Sequence, residues 1–185
     1  MADTPHPSQW TIHGERIIDD TRRAKFSIAS VELPDGVTFE QYVIRAPKCA
    51  MAVVLDGDAV LMIRRHRWII DRWVWELPGG YVDGDDPAAC AAQEVLEETG
   101  WQPGPLELLV SFQPMVGTVD SEQLIYLARG ATATDTAPDI NEAAEIGWIP
   151  LAEVQAKIAA GEIVGSASVA GLQAVLLAQA TGKLR

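Results

Sequence analysis

The chain has 185 residues, a formal net charge of −12 and 48% hydrophobic residues. That is enough apolar matter for one packed domain with a small appendage, and the negative balance excludes nucleic acid and anionic membrane surfaces as expected partners. Two cysteines, Cys49 and Cys90, lie far apart without metal-ligand spacing, and no apolar run approaches a membrane span or a leader core. A cytoplasmic, soluble protein without a disulfide framework is expected.

In chain order, residues 1–8 read as a frayed polar tail. Residues 10–12 and 16–18 read as short strands flanking a His13-Gly14 turn, and 25–33 alternates with Phe26, Ile28 and Val31 apolar. Pro34-Asp35-Gly36 marks a turn, and 38–44 a further strand. This makes an antiparallel β extension over 1–45, which must pack on something because a free ribbon is marginal. The main domain is expected over 46–185. It opens with strands over 48–55 and 60–65 joined by Asp56-Gly57-Asp58. Arg64-Arg65-His66-Arg67 then interrupts the apolar text with cations. The arginine fork suits phosphate or carboxylate, surface ion pairs being the plain alternative. Trp68, Trp73 and Trp75 are expected in core or subunit packing.

Residues 75–101, WELPGGYVDGDDPAACAAQEVLEETGW, carry the densest signals. Asp86 suits an N-cap, Pro87 the first helical position and Gly100 the position past the end, so a helix is predicted over 87–99. At 100° per residue, Ala88, Ala89, Ala92, Val95 and Leu96 fall on the core side and Glu94, Glu97 and Glu98 opposite. Like charges at that spacing destabilise a helix by a few tenths of a kcal/mol per pair, and a bound cation offsets this. Mg2+ and Mn2+ take a few carboxylates together with substrate phosphate oxygens. Leu77-Pro78-Gly79-Gly80 supplies a tight turn where backbone carbonyls approach such an ion. A solvated acidic face is the usual meaning of an isolated Glu-x-x-Glu-Glu; the Gly-Gly turn, the Asp-Pro start and the Gly stop argue for a metal site here.

Downstream, 102–105 reads as a loop, 106–113 as a strand, 114–122 as a loop and 123–129 as a strand. Residues 131–144, rich in Thr, Ala and Asp, read as a mobile loop carrying Asp139 and Glu142, with Glu145 just beyond. A strand over 146–150, a helix over 151–160 stopped by Gly161, and a last helix from Ser166 or Ser168 to Ala180 complete the chain.

The stretch from Gly79 to Trp101 resembles the Nudix box: glycine, five residues, Glu, seven residues, then Arg-Glu-apolar-x-Glu-Glu-x-Gly-apolar. With Gly79 as the opening glycine, Asp85 takes the first Glu position and Gln93 the Arg position; with Gly80 opening, the loop is one residue short. The Pro34-Asp35-Gly36 hairpin with Tyr42-Val43-Ile44, the run LMIRRHR, and GEIVGSASVAGLQ resemble the ADP-ribose pyrophosphatase subfamily. Val116 departs from it where a proline is expected.

The resemblance implies an α/β/α sandwich with a mixed sheet and an N-terminal antiparallel β extension. It implies metal-dependent hydrolysis of a nucleoside diphosphate linked to another moiety, ADP-ribose or a related nucleotide sugar first. It implies a homodimer, with exchange of the first strands as one option. Glu94, Glu98 and Glu97, with a carbonyl of Gly79 or Gly80, are the implied ligands of Mg2+ or Mn2+, and Glu97 also orients water. Arg67, Glu76 and Glu122 are placed at the substrate, and Glu142 as the base, in a register open by two or three residues. Two other readings stay open: a Nudix hydrolase for a GDP-sugar or dinucleotide, and a non-catalytic nucleotide-binding module, suggested by Asp85 and Gln93.

Overall fold

A computed structural model describes residues 8–21, 23–138 and 143–184. In chain order these form β1 (Thr11–Thr21), β2 (Ala24–Glu32), β3 (Thr38–Arg45), β4 (Cys49–Asp56), β5 (Ala59–Arg67), β6 (Arg72–Glu76), β7 (Gly79–Tyr81), α1 (Pro87–Thr99), β8 (Trp101–Pro103), β9 (Leu106–Phe112), β10 (Val119–Asp120), β11 (Gln123–Arg129), β12 (Ala131–Ala133), β13 (Glu145–Pro150), α2 (Leu151–Ala159) and α3 (Ser166–Ala180). The chain divides into two compact units, Met1–Pro47 with Gln113–Ser121, and Lys48–Phe112 with Glu122–Arg185.

The first unit is a sheet in the order β1-β2-β3-β10. The turn expected at His13-Gly14 is instead the interior of a single strand, and the pairing of β1 with β2 shifts register between Ile12 and Gly14. Glycine inside a paired strand marks a bulge as readily as a turn, and the continuous partner β2 decides the matter. The buried Ser27 hydroxyl donates to the Glu15 carboxylate, and Arg45 donates to Glu15 Oε2 at 2.7 Å and to Asp120 Oδ2 at 2.9 Å. The Arg45 hydrogen bond, then that of Ser27, holds the Glu15 pKa down at about 2. Trp10 meets Phe39 edge-on at 5.7 Å between ring centroids, and Phe26 stacks on Tyr42 at 5.4 Å.

The second unit is built on a mixed sheet, β13-β5-β4-β11-β9, with β6 added to β5 and β7 to β4. β4 and β11 run parallel; the other pairings are antiparallel. Period-two alternation sends opposite sets of side chains to the two faces. Val53, Leu55, Ile125 and Leu127 pack with Leu151 and Val154 of α2 and Leu172 and Val175 of α3. Ala52, Val54, Leu61 and Ala128 pack with Val95 of α1, and Ala50, Leu124 and Tyr126 with Ala91. This is the expected α/β/α sandwich. Each fully buried Val or Leu contributes about 1.5–3 kcal/mol against the entropy of ordering the chain.

One local irregularity positions the site. β4 pairs with β5 only at Leu55–Val60 and Asp56–Ala59. Beyond that the two strands take separate partners, β4 receiving β7 at Met51–Gly79 and Ala50–Gly80, and β5 receiving β6. Leu77-Pro78 sits in the fork, with the Ala52 N–H donating to the Pro78 carbonyl at 3.1 Å. α1 spans the predicted residues. Asp86 caps it by accepting from the Ala88 and Ala89 amides at 3.0 and 3.1 Å, and Gly100, left-handed at φ 73°, closes it. Its buried residues are Ala91, Val95, Glu98 and Thr99, whereas Ala89 is exposed. Glu98 therefore does not lie on a solvent face with Glu94 and Glu97; it turns into the sandwich. Of the loop expected over 131–144, residues 131–133 are strand β12, paired with β8.

Candidate active site

The second half of α1 lies against β7, and two consecutive glycines make that approach possible for different reasons. A Cβ on Gly79 would stand 2.4 Å from the Ala50 carbonyl oxygen, with the backbone at φ 153°; a Cβ on Gly80 would stand 2.2 Å from Glu94 Oε1. Gly79 thus allows the strand pairing, and Gly80 leaves the space that the Glu94 carboxylate occupies. One turn on, Glu98 is 1% exposed. Its Oε2 accepts from the Gly79 N–H at 2.8 Å, and its Oε1 accepts from Arg65 Nη2. Burial raises the Glu98 pKa to about 7 against the lowering pull of Arg65 and of the Gly79 amide, and the nearby Glu94 charge adds to the rise. Desolvation outweighs the ion pair because a carboxylate loses more from leaving water than one guanidinium returns.

Arg65 reaches Glu98 from β5, where it shares a face with Arg67. Arg67 grips Glu76 of β6, Nε to Oε1 at 2.9 Å and Nη2 to Oε2 at 2.5 Å. Arg65 Nε stands 3.7 Å from Glu76 Oε2, and among the described residues it is the buried side-chain nitrogen without a hydrogen-bond partner.

The structure thus gathers Gly79, Gly80, Glu94 and Glu98 into one place and sets the Arg67–Glu76 pair beside it through Arg65. Glu97 is exposed and accepts from Gln93 Nε2 at 2.7 Å. Glu122 pairs with Lys48 at 2.7 Å. Glu145 pairs with Arg64 at 3.2 Å. Glu142 lies outside the described residues.

Among the described residues, no group of three or more His, Cys, Asp or Glu side chains converges as a ready metal cage. Glu94 and Glu98, with the carbonyls of the β7 turn, offer oxygen donors alone, and the missing Cβ at Gly80 lets the Glu94 carboxylate sit against that turn. Oxygen donors in small number, completed by water and substrate phosphate, fit a hard divalent ion. The residue missed by sequence reasoning is Arg65. Strand alternation separates Arg65 and Arg67 from Arg64 and His66, and that pattern was the available signal.

A family profile for the NUDIX domain matches residues 46–165. A CMP-5'-(N-acetyl-N-hydroxy-3-aminopropyl)phosphonate hydrolase of Streptomyces rubellomurinus is 45% identical over 170 residues, covering 91% of this chain and 82% of that protein. An ADP-ribose pyrophosphatase of Mycobacterium tuberculosis is 32% identical over 150 residues, covering 78% of this chain and 72% of that protein. Among solved structures, an ADP compounds hydrolase superposes with a TM-score of 0.83 over 98% of this chain and 100% of that chain, at 19% identity, a likeness of fold.

Proposed function

From the premise that this chain belongs to the Nudix family and is a hydrolase of that family, we propose that it cleaves the phosphorus–oxygen–phosphorus anhydride of a nucleoside phosphate joined to a second moiety. The observation that carries this reading is the seating of Glu94 on Gly80 and of Glu98 on the Gly79 amide. Two carboxylates one turn apart are thereby fixed against a glycine turn inside the matched domain. Hydrolysis adds a water oxygen to one phosphorus, breaks its bond to the bridging oxygen, and leaves that oxygen on the other phosphorus.

Nudix enzymes generally use divalent ions, and here Glu94 and Glu98, with Gly79 or Gly80 carbonyls and Glu97 in support, would hold Mg2+ or Mn2+. Such an ion supplies charge neutralisation at the diphosphate. The Arg67 guanidinium orients the anion, with Glu76 setting its direction. Glu122 lines the nucleotide side, and Glu142 takes the proton of the attacking water.

ADP-ribose or another nucleotide sugar is the first substrate reading, supported by the ADP-ribose pyrophosphatase relative. A cytidylyl–phosphonate anhydride is the second, favoured by the 45% identical relative over nearly the whole chain. Val116, where the pyrophosphatase pattern has a proline, points the same way. The test is incubation with Mn2+ or Mg2+ and a panel of ADP-ribose, GDP-mannose, a dinucleotide and a CMP–phosphonate anhydride, following the nucleoside monophosphate released. One member is expected to turn over at least about tenfold better in kcat/KM than the rest, with Glu98→Gln losing most of that rate. No release from any member, with Glu98→Gln behaving as wild type, would sink the enzyme reading.

We further propose a homodimer working in a reducing compartment. Trp68 and Ile69 are each 79% exposed at the β5–β6 turn, and Ile12, Ile17 and Ile18 are exposed on the edge strand β1. Apolar side chains in such density usually mark an interface, and a second copy of this chain is the proposed occupant.

A further inference from the structure

Four charged side chains of alternating sign form a string from the interior to solvent: Glu98, Arg65, Glu76 and Arg67, with side chains 1%, 16%, 14% and 49% exposed. They come from three elements, α1, β5 and β6. The ends of the string are residues to which the proposed function gives work, Glu98 at the ion and Arg67 at the diphosphate. The middle is Arg65. Resting on that reading, we infer that Arg65 is a positioning residue that couples the direction of the Glu98 carboxylate to the Arg67–Glu76 pair.

Three features support this. Arg65 uses Nη2 for Glu98 while its Nε faces Glu76 at 3.7 Å, so one planar group addresses two carboxylates at once. Its Nε is buried and makes no hydrogen bond of its own among the described residues, so that atom stays committed to the electrostatics of the string. A buried donor held out of water in this way is costly, and persists where neighbouring constraints over-determine it. Finally, the cation on the glutamates comes from the sheet. On α1 itself, Gln93 gives Glu97 only a neutral amide hydrogen bond. A guanidinium stays charged under all ordinary conditions and keeps its donors in a rigid fork. Of the cationic side chains, Arg is therefore the one able to hold both acids in fixed relative directions from within the fold. Partners behind ion ligands typically account for 10–100-fold in affinity or activity.

Arg65→Lys tests the inference because it keeps the charge and removes the fork. Mn2+ binding is measured by calorimetry, and steady-state kinetics follow on whichever anhydride the wild type cleaves. For Arg65→Lys the Mn2+ dissociation constant is expected to rise about fivefold or more and kcat to fall about tenfold, with KM changing less than about threefold. Glu76→Gln alters the outer half of the string without touching Glu98. It is expected to weaken Mn2+ binding in the same direction, and the double variant to lose less than the sum of the two effects. If Arg65→Lys does not fold, Glu76→Gln alone decides by its Mn2+ affinity. Wild-type Mn2+ affinity in the folded variant measured, or strictly additive losses in the pair, overturns the role of Arg65 and leaves the hydrolase reading intact. A wild-type chain that neither binds Mn2+ nor cleaves any anhydride overturns both.

Discussion

Gly79 and Gly80 are adjacent and alike on paper, yet their substitutions should part company. A methyl group at Gly79 meets backbone, the Ala50 carbonyl and the Met51 Cα, with the chain at a φ that favours glycine. Backbone cannot step aside cheaply, so Gly79→Ala is expected to lower stability by about 2 kcal/mol or more in urea unfolding. A methyl at Gly80 meets the far end of Glu94, which rotates away, so Gly80→Ala should stay within about 1 kcal/mol of wild type while Mn2+ affinity and kcat fall. Equal stability losses in the two variants would refute this division. Gln93→Arg converts the amide contact with Glu97 into an ion pair and is expected to raise kcat or lower the Mg2+ concentration required for it. The site's glutamates were legible in the sequence as residue types and spacing. The burial of Glu98 was not, because a charged residue is placed on the solvent side by default, and the partner that reverses the default, Arg65, lies 33 positions away in the chain.

At the scale of elements, α1 was readable to the residue because its stop and start signals are local: an Asx cap, a proline at the first position and a left-handed glycine. Those signals carry energy as well as information. Asp86→Ala removes the acceptor of two amides and is expected to cost about 1 kcal/mol in thermal unfolding; no change would mean that water replaces the cap at no cost. Where structure depends on a partner strand, local signals misled. The local signal at His13-Gly14 divides β1, although β2 holds it as one strand across a bulge. The sequence signal for β5 ends at Arg65, but the strand continues to Arg67. Its outward cations meet acids supplied by other strands, Glu145 for Arg64 and Glu76 for Arg67. β6, β7, β8 and β12 are three to five residues long, too short for a period to show; β6 and β7 add to the longer β5 and β4, while β8 and β12 pair with each other.

For the whole molecule, charge sets the pH response. The Glu15 pKa falls from an ordinary 4.5 to about 2 in the folded state. The sign follows from linkage: the stabilisation is fully present above about pH 4.5 and is lost as pH falls through about 2. Hydrogen exchange of the β1–β3 amides is expected to show reduced protection across that window, and Glu15→Gln to show a flatter dependence. Identical pH dependence in the two proteins would remove Glu15 from the account. A net charge of −12 also predicts modestly higher thermal stability in about 0.3 M salt than in dilute buffer, as self-repulsion is screened. For the proposed dimer, Ile69→Asp at the β5–β6 turn is expected to give the monomer mass in light scattering at micromolar concentration, while the wild type gives the dimer.

The first unit is discontinuous in sequence: β10 arrives from 113–121, after the whole stretch that bears α1. Anyone dissecting the gene meets this directly. Expression of 1–47 yields a sheet missing its parallel strand, and deletion of 1–45 leaves β10 with no β3 to join. The shortest continuous fragment holding the entire first unit, 1–121, necessarily carries the glutamate helix within it. During synthesis the same order holds, since β1–β3 leave the ribosome early and wait for residue 119 before their sheet is whole. Gene fusion or shuffling therefore cannot inherit this N-terminal sheet as a cassette; it travels with the box or is lost.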